Sequence, residues 1–324
     1  MEEIFPNMAN YFTERQNEPK HLDYLSAQRN LYRKAKRTTA IQILLSGPLI
    51  VCISIAVLIL NNKDISQLVG FQQVDISWVS AFTGVVVALV DVLIITDIVN
   101  SLKEKAATIQ ELFDTSVFGL PWNNVAAGSM PDYEEVNKYS RTIRESPEEF
   151  SKLKNWYSIK LDNLPIEVSI IICQRSNLCW DSELRNYFSK LMGAIALFVI
   201  FFLTAIGLYE GMTLKKFFLI VLAPSLPIVI FAIRNWIDNK RAISQLKSLK
   251  NIVNKSWDNL LTMRESKSKL MERARAVQDQ IYINRKSNPL IFDWIYEKHR
   301  PRQHESMYYS IDQMINQYNY SSGK

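Results

Sequence analysis

The sequence predicts a mainly α-helical integral membrane protein, with four transmembrane helices in two hairpins and a mostly helical cytoplasmic domain. Four long apolar stretches occur as two close pairs, and the charged residues cluster before, between and after the pairs. The first 38 residues are polar and contain no early apolar run, so no signal peptide is expected. The overall hydrophobic fraction of 48% is therefore an average over two different kinds of segment.

Each apolar stretch is long enough to cross a bilayer. A hydrocarbon core of about 30 Å requires about 20 apolar residues in a helix. The four stretches are Ile41–Leu60, Ile76–Ile98, Leu191–Tyr209 and Phe217–Ile233. They could also be the core helices of a water-soluble protein, but their arrangement in two close pairs favours the membrane.

The distribution of basic residues predicts the orientation. Seven Lys and Arg residues precede residue 38, segment 99–187 carries ten, and the tail from Asp238 carries sixteen, whereas loop 61–75 contains only Lys63. Because cytoplasmic loops are enriched in Lys and Arg, both termini and the central segment are expected in the cytoplasm. The predicted division is a cytoplasmic arm 1–38, hairpin one 39–98 with spans of about 39–60 and 76–98, a cytoplasmic domain 99–186, hairpin two 187–237 with spans of about 188–209 and 215–237, and a cytoplasmic tail 238–324.

Two long helices are expected outside the spans. The N-terminal arm should be helical from about Pro19, with Asn17 as its N-cap. In the tail, apolar residues recur in a heptad from Ala242 to Ile281, which predicts one helix of about forty residues interrupted by Ser256 and Lys267. Whether it pairs with a second copy or packs on the central segment is left open.

The sequence contains no recognisable catalytic or metal-binding motif. The chain has nine glycines and no glycine-rich phosphate loop, GxSxG or HExxH sequence. Cys173 and Cys179 are spaced too widely for a zinc pair, so they are interpreted as small packing residues. An enzyme, a cofactor and a metal are therefore not expected.

Five polar or helix-distorting residues in the spans are candidates for lining or gating a pore. An ionised Asp91 inside a span should face a bundle interior or water, and Gln42 is a possible neighbour. Pro48, Pro224 and Pro227 permit kinks, because proline removes a backbone donor. Static helix packing explains the same residues equally well and stays open as an alternative.

Six segments distributed over nearly the whole chain resemble the SMODS-associated four-transmembrane effectors of CBASS-type anti-phage operons. They are RQN at Arg15–Asn17, AQRNLYRKAKR at Ala27–Arg37, FDTSVFGLPWN at Phe113–Asn123, NWY at Asn155–Tyr157, ICQRSN and WDSELR within Ile172–Arg185, and QDQIYINRKSNPLIFDWIY at Gln278–Tyr296. The resemblance implies a multi-pass protein of the bacterial inner membrane. It also implies a link to a synthetase that makes a cyclic oligonucleotide second messenger, and a function as an effector that binds this messenger and permeabilises the membrane.

One chain has too few spans for an open pore, so a homo-oligomer surrounded by membrane lipids is expected. Two other functions remain open: a constitutive or otherwise gated channel or transporter, and a membrane anchor that does not conduct.

The stretch ICQRSNLCWDSELR provides the first candidate ligand residues. Arg175 and Arg185 are suited to a phosphodiester, and Trp180 is suited to stacking on a base. The alternative is an internal ion pair of either arginine with Asp181 or Glu183.

A second candidate region, Gln278–Arg302, lies in the tail and is more basic, with Arg285, Lys286, Arg300 and Arg302. We expect a site formed between the two regions. Trp122 and Trp156, which indicate that the central segment is folded, complete the set of expected ligand-binding residues.

Overall fold

The chain is mainly helical in the computed structural model, which describes residues 11–49, 77–209, 213–217 and 222–323, together with residues 52, 53, 56, 60 and 70. All regular elements among these residues are helices, as the sequence predicts. The α-helices are α1 (Tyr11–Gln16), α2 (Pro19–Leu44), α3 (Ser77–Val90), α4 (Thr96–Phe118), α5 (Asn124–Ala127), α6 (Tyr133–Arg144), α7 (Pro147–Ser151), α8 (Ile166–Tyr209), α9 (Leu214–Phe217), α10 (Ala223–Leu261), α11 (Lys267–Ser287) and α12 (Asp293–Ser321). Two π-helical segments, Leu45–Leu49 and Asp91–Ile95, and one 3₁₀ helix, Ile159–Asn163, complete the described elements.

The helices form two compact units. Unit 1 comprises Met1–Lys34, Asn100–Asn186 and Lys240–Lys324, and unit 2 comprises Ala35–Val99 and Tyr187–Asn239. Each unit is therefore assembled from segments that are distant in the sequence. The assignment of these segments to the cytoplasm and the membrane stays a prediction.

Unit 1 has a buried apolar core to which several of its helices contribute. Leu25 and Leu31 of α2, Phe113 of α4 and Ile170 of α8 are fully buried together. Helix α2 begins at Pro19, as predicted. The predicted cap differs, because the Asn17 side-chain oxygen accepts from the backbone N–H of Asn155 at 3.0 Å rather than from its own helix. The arm is thus fastened to the central segment.

The tail does not contain the predicted single helix from Ala242 to Ile281. Helix α10 ends at Leu261 and α11 begins at Lys267. Met263 between them has a positive φ of 51°, and the Ser266 hydroxyl caps α11 by accepting from the backbone N–H of Lys269 at 3.4 Å. A capping serine offers the backbone a helix start, which the continuing apolar repeat conceals. The chain therefore turns here, and both helices pack into the core of unit 1.

Unit 2 is apolar on the outside. Large side chains such as Phe82, Leu93 and Phe201 are exposed by 61%, 66% and 72%. Its buried residues, among those that the structure describes, include the small or polar Ser46 and Ser225 as well as the larger Ile95, Phe188 and Met192. Without water around them, membrane helices pack through small residues and keep polar groups inside. This distribution is typical of a unit surrounded by lipid.

Two described helical stretches are long and apolar enough to cross a membrane, Phe82–Phe118 and Ile166–Phe202. They contain most of the second and third predicted spans. The described residues leave out most of the first span beyond residue 49 and residues 218–221 of the fourth span. They also leave out most of both connecting loops. Four spans and two hairpins therefore stay predictions.

Candidate ligand-binding groove

A groove in unit 1 brings the stretch that begins at Ile172 together with two helices of the tail. We call it the tail groove; its volume is about 180 Å³. It is lined by Arg175, Ser176, Cys179, Trp180 and Glu183 of α8, Lys250 of α10, and Gln303, Ser306, Met307 and Ser310 of α12. In an α-helix, residues three and four apart share a face, so each contributing helix presents one side to the groove.

Arg175 is held by neutral side chains. Its Nε donates to the side-chain oxygen of Asn254 at 2.9 Å, and its Nη1 donates to the hydroxyl of Ser310 at 2.7 Å. Among the described residues no carboxylate forms an ion pair with Arg175 or with Lys250. The groove thus contains two cationic groups and a single carboxylate, that of Glu183. A positive site with unneutralised guanidinium favours an anionic ligand.

Trp180 forms the aromatic wall of the tail groove. Its ring lies 5.1 Å from His304 in an edge-to-face arrangement and 5.9 Å from Tyr296. Its backbone carbonyl accepts from the Gln303 side chain at 3.1 Å. The imidazole of His304 beside Trp180 is neutral at pH 7, because burial lowers its pKa and the positive charge of Arg300 lowers it further. Trp180 is therefore fixed to α12 by packing and by a hydrogen bond.

Arg185 has a different environment from Arg175. Its side chain is buried; Nε donates to the Asp181 carboxylate at 3.0 Å and Nη1 donates to the carbonyl of Pro289 at 2.9 Å. The internal ion pair considered for this stretch is thus present at Arg185. It fixes the connection between α11 and α12 to α8, while ligand binding by Arg185 stays an untested prediction.

Arg285 and Lys286 of the second predicted region do not line the tail groove. The guanidinium of Arg285 donates to the buried Asp114 carboxylate at 2.5 Å, and Lys286 forms an ion pair with Glu104. Burial disfavours the charged form of Arg285 and by itself would lower the pKa of its guanidinium. The nearby Asp114 carboxylate has the opposite effect, and the pKa of Arg285 is raised overall. Tyr157 also donates to Asp114, at 2.6 Å. These contacts join α11 to α4; a ligand role for Arg285 and Lys286 stays a prediction.

Trp122 lies at a second, larger cavity of about 390 Å³, whose lining also includes Arg15, Thr115 and Met130. The Trp122 ring nitrogen donates to the carbonyl of Gly128 at 2.8 Å. Trp156 is half-buried and packs against the core of unit 1. The second cavity is more apolar than the tail groove and is the alternative location for a ligand.

The candidate pore residues lie in unit 2. The Gln42 amide donates to the Asp91 carboxylate, so the predicted proximity of these two residues is seen. Pro48 lies inside the π-helical segment Leu45–Leu49. Pro224 and Pro227 both lie in α10. A role in gating stays a prediction for all five.

The groove residues Lys250, Gln303 and Ser310 were not predicted from the sequence, and neither was Asn254, which accepts a hydrogen bond from Arg175. They lie in polar stretches of long helices, where only the spacing of Gln303, Met307 and Ser310 indicates a common face. In the part of the chain that the structure describes, no three His, Cys, Asp or Glu side chains are grouped to hold a metal ion.

A unit with a polar, cationic groove, and a second unit with an apolar exterior, define a helical protein with a membrane domain. The sequence model of the SMODS-associating 4TM effector domain matches residues 10–314, and the chain therefore belongs to this family. The resemblance predicted from the sequence motifs is confirmed.

A protein of Bacillus cereus (strain VD146), named "Probable CBASS effector molecule", is 30% identical over 297 residues, which cover 91% of this chain and 95% of the relative. No solved structure matches the chain significantly.

Proposed function

We propose that the protein is a CBASS effector that binds a cyclic oligonucleotide in the tail groove and, as an oligomer, permeabilises the bacterial inner membrane. The observation that carries the proposal is that Arg175, Lys250 and the aromatic residue Trp180 line one groove. Membership of the 4TM effector family, and the name of the Bacillus cereus relative, support the biological context.

The chemistry of the groove matches one nucleotide unit of such a messenger. A guanidinium forms strong, directional bonds to phosphodiester oxygens. Stacking of a base on an aromatic ring contributes about 1–3 kcal/mol. The hydroxyls of Ser306 and Ser310 add donors for ribose or phosphate.

The size of the groove limits how much of the ligand it holds. Its volume of about 180 Å³ is below the roughly 300–1,000 Å³ of typical small-molecule sites. The groove therefore takes one base and one phosphate, and the rest of the ring lies over its open side.

Helix α8 provides a route from binding to the membrane unit. It carries Arg175 and Trp180 and continues as one helix to Tyr209, through the apolar stretch that ends at Phe202. A ligand shifts a conformational equilibrium only by its differential affinity for the two states. A messenger that bridges α8 and α12 favours the state in which these helices are held at the spacing it requires.

The proposal is tested by leakage of a small dye from proteoliposomes that contain the full-length protein. Cyclic di- and trinucleotides of adenosine and guanosine are added one at a time. We expect at least one of them to cause leakage, and Arg175→Ala to abolish it at the same messenger concentration. Lys247→Ala is the control, because Lys247 is an exposed lysine on the same helix as Lys250 and lies outside the groove.

The result also separates the two other functions. Leakage without any messenger indicates a constitutive channel, and the absence of leakage with every nucleotide indicates a non-conducting anchor. If messenger-dependent leakage is lost in Trp122→Ala but retained in Arg175→Ala, the messenger binds in the second cavity rather than in the tail groove.

A further inference from the structure

Asp91 lies deep in the apolar part of unit 2. It follows Phe82, the start of an apolar stretch, by nine residues, which is about 14 Å along a helix. The neighbouring Leu89, Val92 and Leu93 are exposed. A carboxylate in the middle of a membrane helix costs about 2.5–3.5 kcal/mol on the insertion scale, so such residues are kept where they face partners, water or a pathway.

The hydrogen-bond partner of Asp91 is a neutral side chain. The side-chain amide of Gln42 donates to the carboxylate of Asp91. The backbone carbonyl of Gln42 accepts from the hydroxyl of Ser46 at 2.7 Å. An amide orients a carboxylate but does not neutralise it. Among the described residues no Lys or Arg forms an ion pair with Asp91.

The backbone is irregular on both sides of this pair. Asp91 is the first residue of one π-helical segment, and the other, Leu45–Leu49, begins three residues after Gln42. Such segments interrupt α-helices frequently at functional sites. Asp91 itself is half-buried, whereas Ile95 in the next turn is buried, so the carboxylate lies at the margin of unit 2.

We infer that Asp91 makes the open pore select cations over anions. This inference rests on the proposed function, since it requires several copies around one pore. Each copy then contributes one carboxylate at the same depth, and a ring of carboxylates attracts cations and repels anions. Gln42 is a positioning residue that holds the carboxylate toward the margin of the unit.

The test is the reversal potential across a planar bilayer with unequal KCl concentrations on the two sides. The full-length protein is opened with the cyclic nucleotide that gives the largest dye leakage. We expect the wild type to prefer K⁺ over Cl⁻ and Asp91→Asn to lose this preference while still conducting. Asp91→Glu keeps the charge and should keep the preference, which shows that the variants fold and insert.

Asp97→Asn is the matched control for a carboxylate on the same helix. Asp97 is exposed and, six residues further along, faces a different side of the helix. It should leave the reversal potential unchanged. A wild type without cation preference, or an Asp91→Asn variant that retains it, overturns the inference and leaves the proposed function standing. The absence of any nucleotide-dependent conductance contradicts both.

Discussion

Replacing Arg175 with alanine should weaken messenger binding while changing the stability of unit 1 only slightly. In the structure, Arg175 forms two hydrogen bonds, to Asn254 and to Ser310, and lies at an open groove. Water can replace the lost donors there, so the free energy of unfolding should fall by about 1 kcal/mol. A charge-assisted bond to a phosphodiester contributes about 1.5–3 kcal/mol, which corresponds to a roughly 10- to 100-fold loss of affinity.

Arg185→Ala provides the opposite expectation in the same stretch. Its side chain is buried, and it holds both Asp181 and the carbonyl of Pro289. Removing it should cost about 3 kcal/mol of stability, because the partner groups lose a charged donor inside the protein. Its effect on affinity should be small once the protein is folded.

The assay measures both quantities on one preparation of detergent-solubilised, full-length protein. Calorimetric titration with the cyclic nucleotide that gives the largest dye leakage yields the affinity, and thermal unfolding yields the stability. Arg175→Lys is a further control that keeps the charge but loses the paired geometry, and it should lie between wild type and Arg175→Ala. Unchanged affinity in Arg175→Ala, together with lost affinity in folded Arg185→Ala, would refute this assignment of roles.

Three further predictions follow from the same structure. Two glycines inserted after Ser189 interrupt α8 and should abolish dye leakage. The affinity for the messenger, measured by calorimetric titration, should stay unchanged. Dye leakage at the wild-type level would contradict a role for the continuity of α8. Lys250→Ala should bind the messenger more weakly than the wild type, and its affinity should depend less on salt concentration. Lys247→Ala should bind the messenger with wild-type affinity at every salt concentration. Equal effects of the two variants would argue against binding in the tail groove. Burial lowers the pKa of His21, so the stability that the neutral imidazole contributes is present above the ordinary pKa of 6.5 and is lost as the pH falls through the lowered pKa. Thermal unfolding at a series of pH values should therefore show a smaller loss of stability in acid for His21→Leu than for the wild type. An equal loss in the two proteins would argue against protonation of His21 as the cause.

Much of the fold follows from patterns that are local in the sequence. Apolar stretches and Pro19 are sufficient to predict the helical class and the start of α2, because helix periodicity and proline preference act within a few residues. The break after Leu261 was not predicted, since the apolar repeat continues on both sides of it. The positive φ of Met263 and the capping of α11 by Ser266 mark where the chain turns.

The candidate site was harder to predict, because its parts come from three separate segments. Arg175 and Arg185 belong to one short stretch and are the same residue type. Their different roles depend on partners more than seventy residues away, Asn254 for one and Pro289 for the other. Lys250 has no distinguishing pattern in the sequence, and its position at the groove depends on how α10 packs beside α8.

We propose that occupation of the tail groove opens the membrane. The most direct test of this proposal measures bound cyclic nucleotide and dye release in the same proteoliposomes as the nucleotide concentration is raised. We predict that release rises with the bound fraction and that Arg175→Ala shifts both curves together to higher concentrations. Full occupancy of the wild-type protein without any release of dye would contradict a link between binding and opening.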